Sequence, residues 1–254
     1  MTLRQYARRL ADRGSLQLLK LREPKRETFE CPVCWYEGPF LDVHAPTGTR
    51  KHAKCPNCGA LERHRIQLLV LEQVLSGVLA PNLKILHFAP EPFMQKFFST
   101  RFGSYESADL SMGGVDHNVD LQNLPFKAET YDFVFASHVL EHIRDDHRAL
   151  SEVRRVLKPG GIAILPVPIV ADKTIEYPEP NPNEFYHVRA PGLDYFARYE
   201  LHFRKVDQFT SELIPAKHQP FIYEDRTRWP TTECPLRPAM LGERHIDIVP
   251  VCYT

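Results

Sequence analysis

The 254-residue sequence lacks net charge: 32 Lys and Arg balance 32 Asp and Glu. That removes any global pull toward nucleic acid or an anionic membrane. It has no run of about 18 apolar residues, so no membrane span is expected. Its opening residues, MTLRQYARRLADRG, are interrupted by Arg and Asp too often for a secretory signal. The expectation is a cytoplasmic protein, and there six cysteines imply metal or free thiols sooner than disulfides. A further absence is local. No glycine stands between Gly77 and Gly103, although the apolar run Ile85-Leu86-His87-Phe88 ends at Pro90 in the manner of a first strand opening onto a cofactor loop.

Composition divides the chain in three. Residues 1–26 read as a basic helical arm, with Leu3, Tyr6, Ala7 and Leu10 and then Leu16, Leu18 and Leu19 at helical spacing, broken near Gly14. Its Arg and Lys residues mark either a solvated face or a surface for an acidic partner. Residues 27–62 have little apolar periodicity and hold four cysteines. From 63 to 254 strand-like and helix-like patterns alternate. Helices are predicted over 64–76, from Pro92, and over 145–161 with Asp145 or Asp146 as N-cap and Pro159-Gly160-Gly161 as the stop. Strands are predicted over 83–89, 104–110, 131–137, 162–168, 202–210 and 245–253. The implied class is α/β: a doubly wound, mostly parallel, Rossmann-like sheet with a small N-terminal zinc-binding segment. Two proline-rich stretches, 178–192 and 215–238, read as long loops of the lid or binding kind.

Cys31, Cys34, Cys55 and Cys58 form C-x2-C-x20-C-x2-C. Two such knuckles make a closed tetrahedral shell for one structural Zn²⁺ per chain, whose binding supplies the folding free energy that so short a segment cannot draw from a core. The segment resembles a zinc ribbon. Cys234 and Cys252 stand alone as ordinary small residues.

The glycine-free loop restricts the cofactor. A dinucleotide presses its pyrophosphate against backbone N–H groups at a helix N-terminus, which the G-x-G-x-x-G pattern allows. Here Ala89, Glu91 and Phe93 stand in its place, and the Glu91 carboxylate repels phosphate. S-adenosylmethionine, with a sulfonium and an ammonium and no phosphate, fits better. Asp109, twenty positions after Ala89 at the end of the second strand, is placed to bond both ribose hydroxyls.

The stretches VDLQNLPFKAETYDFVFASHVLEHI (119–143) and EVRRVLKPGGIAILPVP (152–168) resemble the class I methyltransferases of the methyltransferase-11 type. The resemblance covers roughly residues 80–170. It implies that Asp120 and Leu121 flank the adenine and that Ser137 and His138 stand at the methyl-transfer site. The family's acid-x-Gly-x-Gly loop is replaced here by His87-Phe88-Ala89-Pro90-Glu91, which is similar to the loop of a bacterial subgroup that also carries a cysteine-rich N-terminal segment. On this reading His87, Phe88, Ala89, Pro90, Glu91, Asp109 and Leu110 surround the cofactor. Glu91 either faces the ammonium or is a solvated residue at a helix N-terminus, and His87 is either a contact or a core histidine.

Methyl transfer from a sulfonium is an in-line displacement, and a general base is needed only if the acceptor must first lose a proton. The candidates are His138, His142 and His187, with Glu141, Tyr186 and Arg189 near them. Glu141 reads more readily as a residue that ties its loop together, and His187 as either a base or a bystander in a lid. Arg189 and the aromatic residues point to a small anionic or ring-bearing acceptor, free or carrier-bound. Two other readings stay open. One is an RNA methyltransferase whose zinc segment and basic residues Arg50, Lys51, Lys54, Arg63 and Arg65 track phosphates. The other is a non-catalytic binding module on the same fold.

Overall fold

The computed structural model describes residues 3–45, 48–78, 80–171, 173–225 and 244–254, and excludes the side chains of 3–10, 13, 45, 48, 224 and 225. The elements in chain order are α1 (Leu3–Arg22), β1 (Phe29–Glu30), β2 (Glu37–Gly38), β3 (Leu41–Ala45), β4 (Gly48–Lys54), α2 (Glu62–Val74), β5 (Lys84–Phe88), α3 (Pro92–Arg101), β6 (Ser104–Asp109), β7 (His117–Asn118), β8 (Tyr131–Ala136), α4 (Asp146–Val156), β9 (Leu157–Ile164), β10 (Ile175–Asn181), β11 (His187–Ala190), α5 (Ala197–Glu200), β12 (Lys205–Thr210), β13 (Ile222–Asp225), β14 (Arg244–His245) and β15 (Ile248–Tyr253). The described residues form two compact units, one from 3–74, 210–225 and 244–247, the other from 75–209 and 248–254.

The second unit is built on a seven-stranded sheet of order β12-β15-β9-β8-β5-β6-β7. β9, β8, β5, β6 and β7 run parallel, and β15 lies antiparallel to β9. Strand order reverses at β5, between β6 and β8, so the carboxyl ends of those strands open on a topological switch point. The apolar run predicted for β8 is a central strand: Tyr131, Phe133, Val134, Phe135 and Ala136 are all buried, as a parallel strand covered on both faces requires. α4 covers one face with Ala149, Leu150, Val153 and Val156. Its N-cap is Asp145, whose carboxylate accepts from the Arg148 amide at 3.0 Å.

Several expectations change. α4 ends at Val156 rather than at Pro159, because Leu157 is already extended and pairs with Tyr131 of β8, and a residue before proline is biased to the extended region in any case. α1 runs through Gly14, where a break was expected. An interior glycine costs about 1 kcal/mol relative to alanine, too little to interrupt a helix of twenty residues. The stretch 178–192, read as a loop, holds the antiparallel pair β10–β11 and a short helical turn. Residues 226–238 of the second proline-rich stretch, with Cys234, lie outside the described residues, as do the side chains of Arg4, Arg8, Arg9 and Arg13.

The first unit does not end at residue 62. Its four-stranded antiparallel sheet has the order β14-β13-β4-β3, so two strands come from the far end of the chain. α2 belongs to it as well. Arg65 on α2 is fully buried and donates to the carbonyls of Ala53, Ala60 and Gln219 at 2.9–3.2 Å. That one side chain gathers three segments by satisfying their carbonyls.

His87 on β5 is 1% exposed, bonded to the Tyr105 hydroxyl at 3.1 Å and edge-on to Phe98 and Phe135. Its ring is therefore part of the core beneath the loop. Burial pushes its pKa down to about 3, partly offset by Glu91. The unfolded chain, with histidine near 6.5, then binds more protons than the fold between those two values. Stability should be full above about pH 6.5 and fall as the pH drops toward 3. Denaturant unfolding at a series of pH values should show that acid loss, and His87→Phe should flatten it.

Candidate functional site

The sheet register places the predicted site residues. Phe88 of β5 pairs with Ala108 of β6 on one side and with Ala136 of β8 on the other. The next residue of each strand, Ala89, Asp109 and Ser137, therefore lies on one carboxyl edge, with neighbouring strands about 4.8 Å apart. Ala89 has φ 47°, the left-handed region that favours glycine, and its amide donates to Ala108 O at 2.9 Å. His138 at the end of β8 has φ 56° and donates its amide to Pro166 O at 2.9 Å. Two strands that flank the switch point thus end in strained residues, the kind of backbone that persists at binding sites because its surroundings fix it. Alanine, with the smallest side chain after glycine, takes the turn that a glycine would otherwise make. Pro90 and Glu91 follow half-buried, and Glu91 occupies the N-cap position of α3 without capping it through its side chain.

Asp109 Oδ1 accepts the amides of Ser111 and Met112 at 2.8 and 2.7 Å, which curls the loop after β6, and Oδ2 takes part in neither bond. Leu110 is 70% exposed beside it. Asp120 accepts the Gln122 amide at 2.8 Å and holds a turn whose next residue, Leu121, is buried. The strand ends thus carry Glu91, Asp109 and Asp120. Such a donor set fits a cationic ligand without phosphate and opposes a nucleotide phosphate.

A second group stands after β8. His138 Nδ1 lies 3.3 Å from Glu141 Oε1, and Glu141 is fully buried. Burial raises the Glu141 carboxyl, but contact with His138 and the nearness of His187 more than offset it, leaving the group below the ordinary carboxylate range. His187 reaches the same place from β11, its ring 4.7 Å from and perpendicular to that of His142. Burial pushes its pKa down to about 4, partly offset by Glu141. The three histidines named from sequence are thus brought together around one carboxylate. Tyr186 is 67% exposed and has positive φ in the turn before β11.

Arg189 does not face an acceptor. It is 1% exposed and donates to the carbonyls of Leu140, Ile143 and Arg144 at 2.6–2.8 Å and to Glu176 at 3.0 Å, with Asp146 at 3.5 Å. The guanidinium fixes the turn that bears Glu141 and His142 against the strand that bears His187. Asp146 in turn accepts from Tyr195 and Arg198 at 2.7 and 2.6 Å. The sequence pointed Arg189 at an anionic acceptor, and nothing in its pattern showed that the acceptors it serves are backbone carbonyls.

In the first unit Cys31 Sγ lies 3.6 Å from Cys58 Sγ, and Cys34 Sγ 3.6 Å from Cys55 Sγ. Four sulfurs at about 2.3 Å from a tetrahedral Zn²⁺ would be about 3.8 Å apart, so the set fits such an ion. The knuckles share one geometry. Trp35 N donates to Cys31 O at 2.8 Å and Gly59 N to Cys55 O at 2.9 Å, and both donors have positive φ. Of the basic residues grouped as phosphate contacts, Arg65 is buried, Arg50 is paired with Glu62, and Lys54 is paired with Asp12 at 2.7 Å.

Residues 102–165, from the end of α3 through β9, match the family model of a methyltransferase domain. The chain is 36% identical over 105 residues to an uncharacterised 37.1 kDa protein of a Streptomyces fradiae transposon, which is 41% of this chain and 29% of that protein. It is 46% identical over 46 residues to a demethylmenaquinone methyltransferase of Streptomyces avermitilis, 18% of this chain and 20% of that one. The matched stretches thus span less than a third of these relatives' lengths. Among solved structures, an S-adenosylmethionine-dependent methyltransferase of Mesorhizobium loti superposes with a TM-score of 0.51 at 13% identity, over 76% of this chain and all of that one. Residues 102–165 thus resemble a methyltransferase domain, and the second unit has the Rossmann-like fold seen in S-adenosylmethionine-dependent methyltransferases. No helix among the described residues is long and apolar enough to cross a membrane.

Replacing Arg189 by Met keeps much of the volume and removes every donor. It strands buried carbonyls of the turn after β8, while Asp146 keeps Tyr195 and Arg198, and should cost about 3–5 kcal/mol. Denaturant unfolding followed by near-ultraviolet circular dichroism checks it. Exposed Arg204→Met should shift the midpoint little by comparison.

Proposed function

We propose that this chain transfers a methyl group from S-adenosylmethionine to a small or carrier-bound metabolite, with a structural zinc in its first unit. The observation that carries the reading is the shared carboxyl edge of β5, β6 and β8, where Ala89, Asp109 and His138 stand at the switch point. Similarity over 46 residues to a demethylmenaquinone methyltransferase supports a metabolite acceptor. The engagement of Arg50, Lys54 and Arg65 within the first unit gives RNA less to bind.

Bound S-adenosylmethionine supplies an electrophilic methyl on a good leaving group. The chain's part is to hold and to deprotonate. Asp109 Oδ2 accepts from the ribose diol while Oδ1 keeps the loop in shape. Glu91 presents negative charge toward the amino-acid end, and Asp120 with Leu121 borders the adenine. Glu141 orients the His138 ring by facing its Nδ1–H with Oε1 at 3.3 Å, which leaves Nε2 to accept a proton from an acceptor hydroxyl. His187, with a pKa held near 4, stays neutral at pH 7 and forms the opposite wall.

Asp109→Ala removes a hydrogen-bond acceptor from the diol. Each lost bond costs about 0.5–1.5 kcal/mol, so calorimetry should show roughly tenfold weaker binding of S-adenosylmethionine. Unchanged binding would place the cofactor elsewhere. Incubation with methyl-labelled cofactor and a cell extract, with label sought in the small-molecule and RNA fractions, identifies the acceptor class, and His138→Gln should abolish labelling.

For the zinc, metal analysis of the purified chain should give one ion, and Cys55→Ser should lose it together with the stability of the first unit. Full zinc and full stability in that variant would refute a Cys₄ site.

A further inference from the structure

The group after β8 has more ligand capacity than a histidine–carboxylate pair needs. Glu141, His142 and His187 each offer one donor atom, and the three atoms lie within 4.8 Å of one another. Glu141 is fully buried, yet neither carboxylate oxygen has a hydrogen bond of good geometry, and its contact with His138 at 3.3 Å is poorly aligned. His187 Nδ1 and His138 Nε2 are also buried without a hydrogen-bond partner. Four such atoms around one carboxylate are unusual in a folded interior, where buried polar groups are normally paired. In the same unit, buried Asp146 and Arg189 have theirs fully engaged.

The placement is rigid where a ligand set requires it. The turn bearing Glu141 and His142 and the strand bearing His187 are tied through Arg189, and Arg144 adds a bond to the Tyr177 carbonyl of β10. His142 is exposed, so one side of the cluster opens to solvent. An ion about 2.1 Å from each donor needs donors about 3–4 Å apart, a closure that rotation of the exposed His142 ring supplies.

We propose that Glu141, His142 and His187 bind one divalent transition-metal ion through two imidazole nitrogens and one carboxylate oxygen. The donor set selects the class. Imidazole suits Zn²⁺, Fe²⁺, Co²⁺ or Ni²⁺, whereas Mg²⁺ and Ca²⁺ prefer all-oxygen shells. Three protein ligands leave coordination positions open toward the solvent side. On the methyltransferase reading above, on which this last step rests, an acceptor hydroxyl bound there is acidified by the ion beside the Nε2 of His138. The acceptor class is then one with an oxygen to ligate, an alcohol, phenol or hydroxy acid.

The test uses Co²⁺ added to the full zinc-loaded chain, because cobalt reports its ligands. The expected result is one Co²⁺ per chain with the weak visible bands of nitrogen and oxygen ligation and without the intense near-ultraviolet thiolate band that exchange into the cysteine site would give. His142→Ala, at an exposed position, and His187→Ala should each weaken cobalt binding about tenfold or more. Glu141→Gln should do the same, with zinc content unchanged in all three. No uptake by the parent chain, uptake only with the thiolate band, or equal binding in parent and His142→Ala would overturn the proposal. The readout needs neither cofactor nor acceptor, so its failure leaves the methyltransferase reading standing, and failure of S-adenosylmethionine binding leaves the metal site standing.

Discussion

A guanidinium removed from water must be surrounded by acceptors, and the site of the second unit depends on how Arg189 meets that requirement. Three backbone carbonyls of residues 140–144 and the Glu176 carboxylate close around it. Leu140 O also accepts the Ile143 amide at 3.2 Å, but the irregular turn after β8 gives the carbonyls of Ile143 and Arg144 no backbone donor among the described residues, and Arg189 supplies it. The same bonds set the β10–β11 pair against that turn and so set His187 beside Glu141. The chemistry-bearing side chains are thus held by a residue that does none of the chemistry.

Much of the fold was legible because it rests on local pattern. The buried run of β8, the Asp145 cap of α4 and the paired cysteine spacing each read from a few adjacent residues, and the structure has each of them. What was not legible came from distant partners. The end of α4 was misjudged because Leu157 pairs with Tyr131, a tertiary preference that overrides the helical pattern. The pair β10–β11 was hidden by prolines, which a two-stranded edge tolerates and a central strand does not. Arg189 read as a contact for an anionic acceptor because nothing local shows that its partners are backbone carbonyls.

The glycine-free loop has a simple resolution. The backbone makes the turn that a glycine would make, with Ala89 at φ 47°, and the cost of a left-handed alanine is met by its bond to Ala108 O and by the core under His87. An alanine loses less chain entropy on folding than a glycine. The substitution exchanges torsional strain in the native state for a less disordered unfolded loop, so that stiffness, rather than adaptability, marks the edge where a ligand would rest.

The first unit closes through Arg65, whose guanidinium joins residues 53 and 60 to Gln219, 154 positions away. β4 likewise gains its outer neighbour only from β13. During synthesis, β4 leaves the ribosome long before β13, the strand that pairs with it, and the second unit emerges in between. Until β13 arrives, β4 presents an open edge of unpaired amides and carbonyls, the usual template for mispairing between chains. So high a sequence separation delays closure. A metal ion on the four thiols would let this half-built sheet wait in ordered form. With the proposed zinc on those thiols, expression at low zinc should show itself as aggregation of nascent chains before it shows as loss of the finished protein.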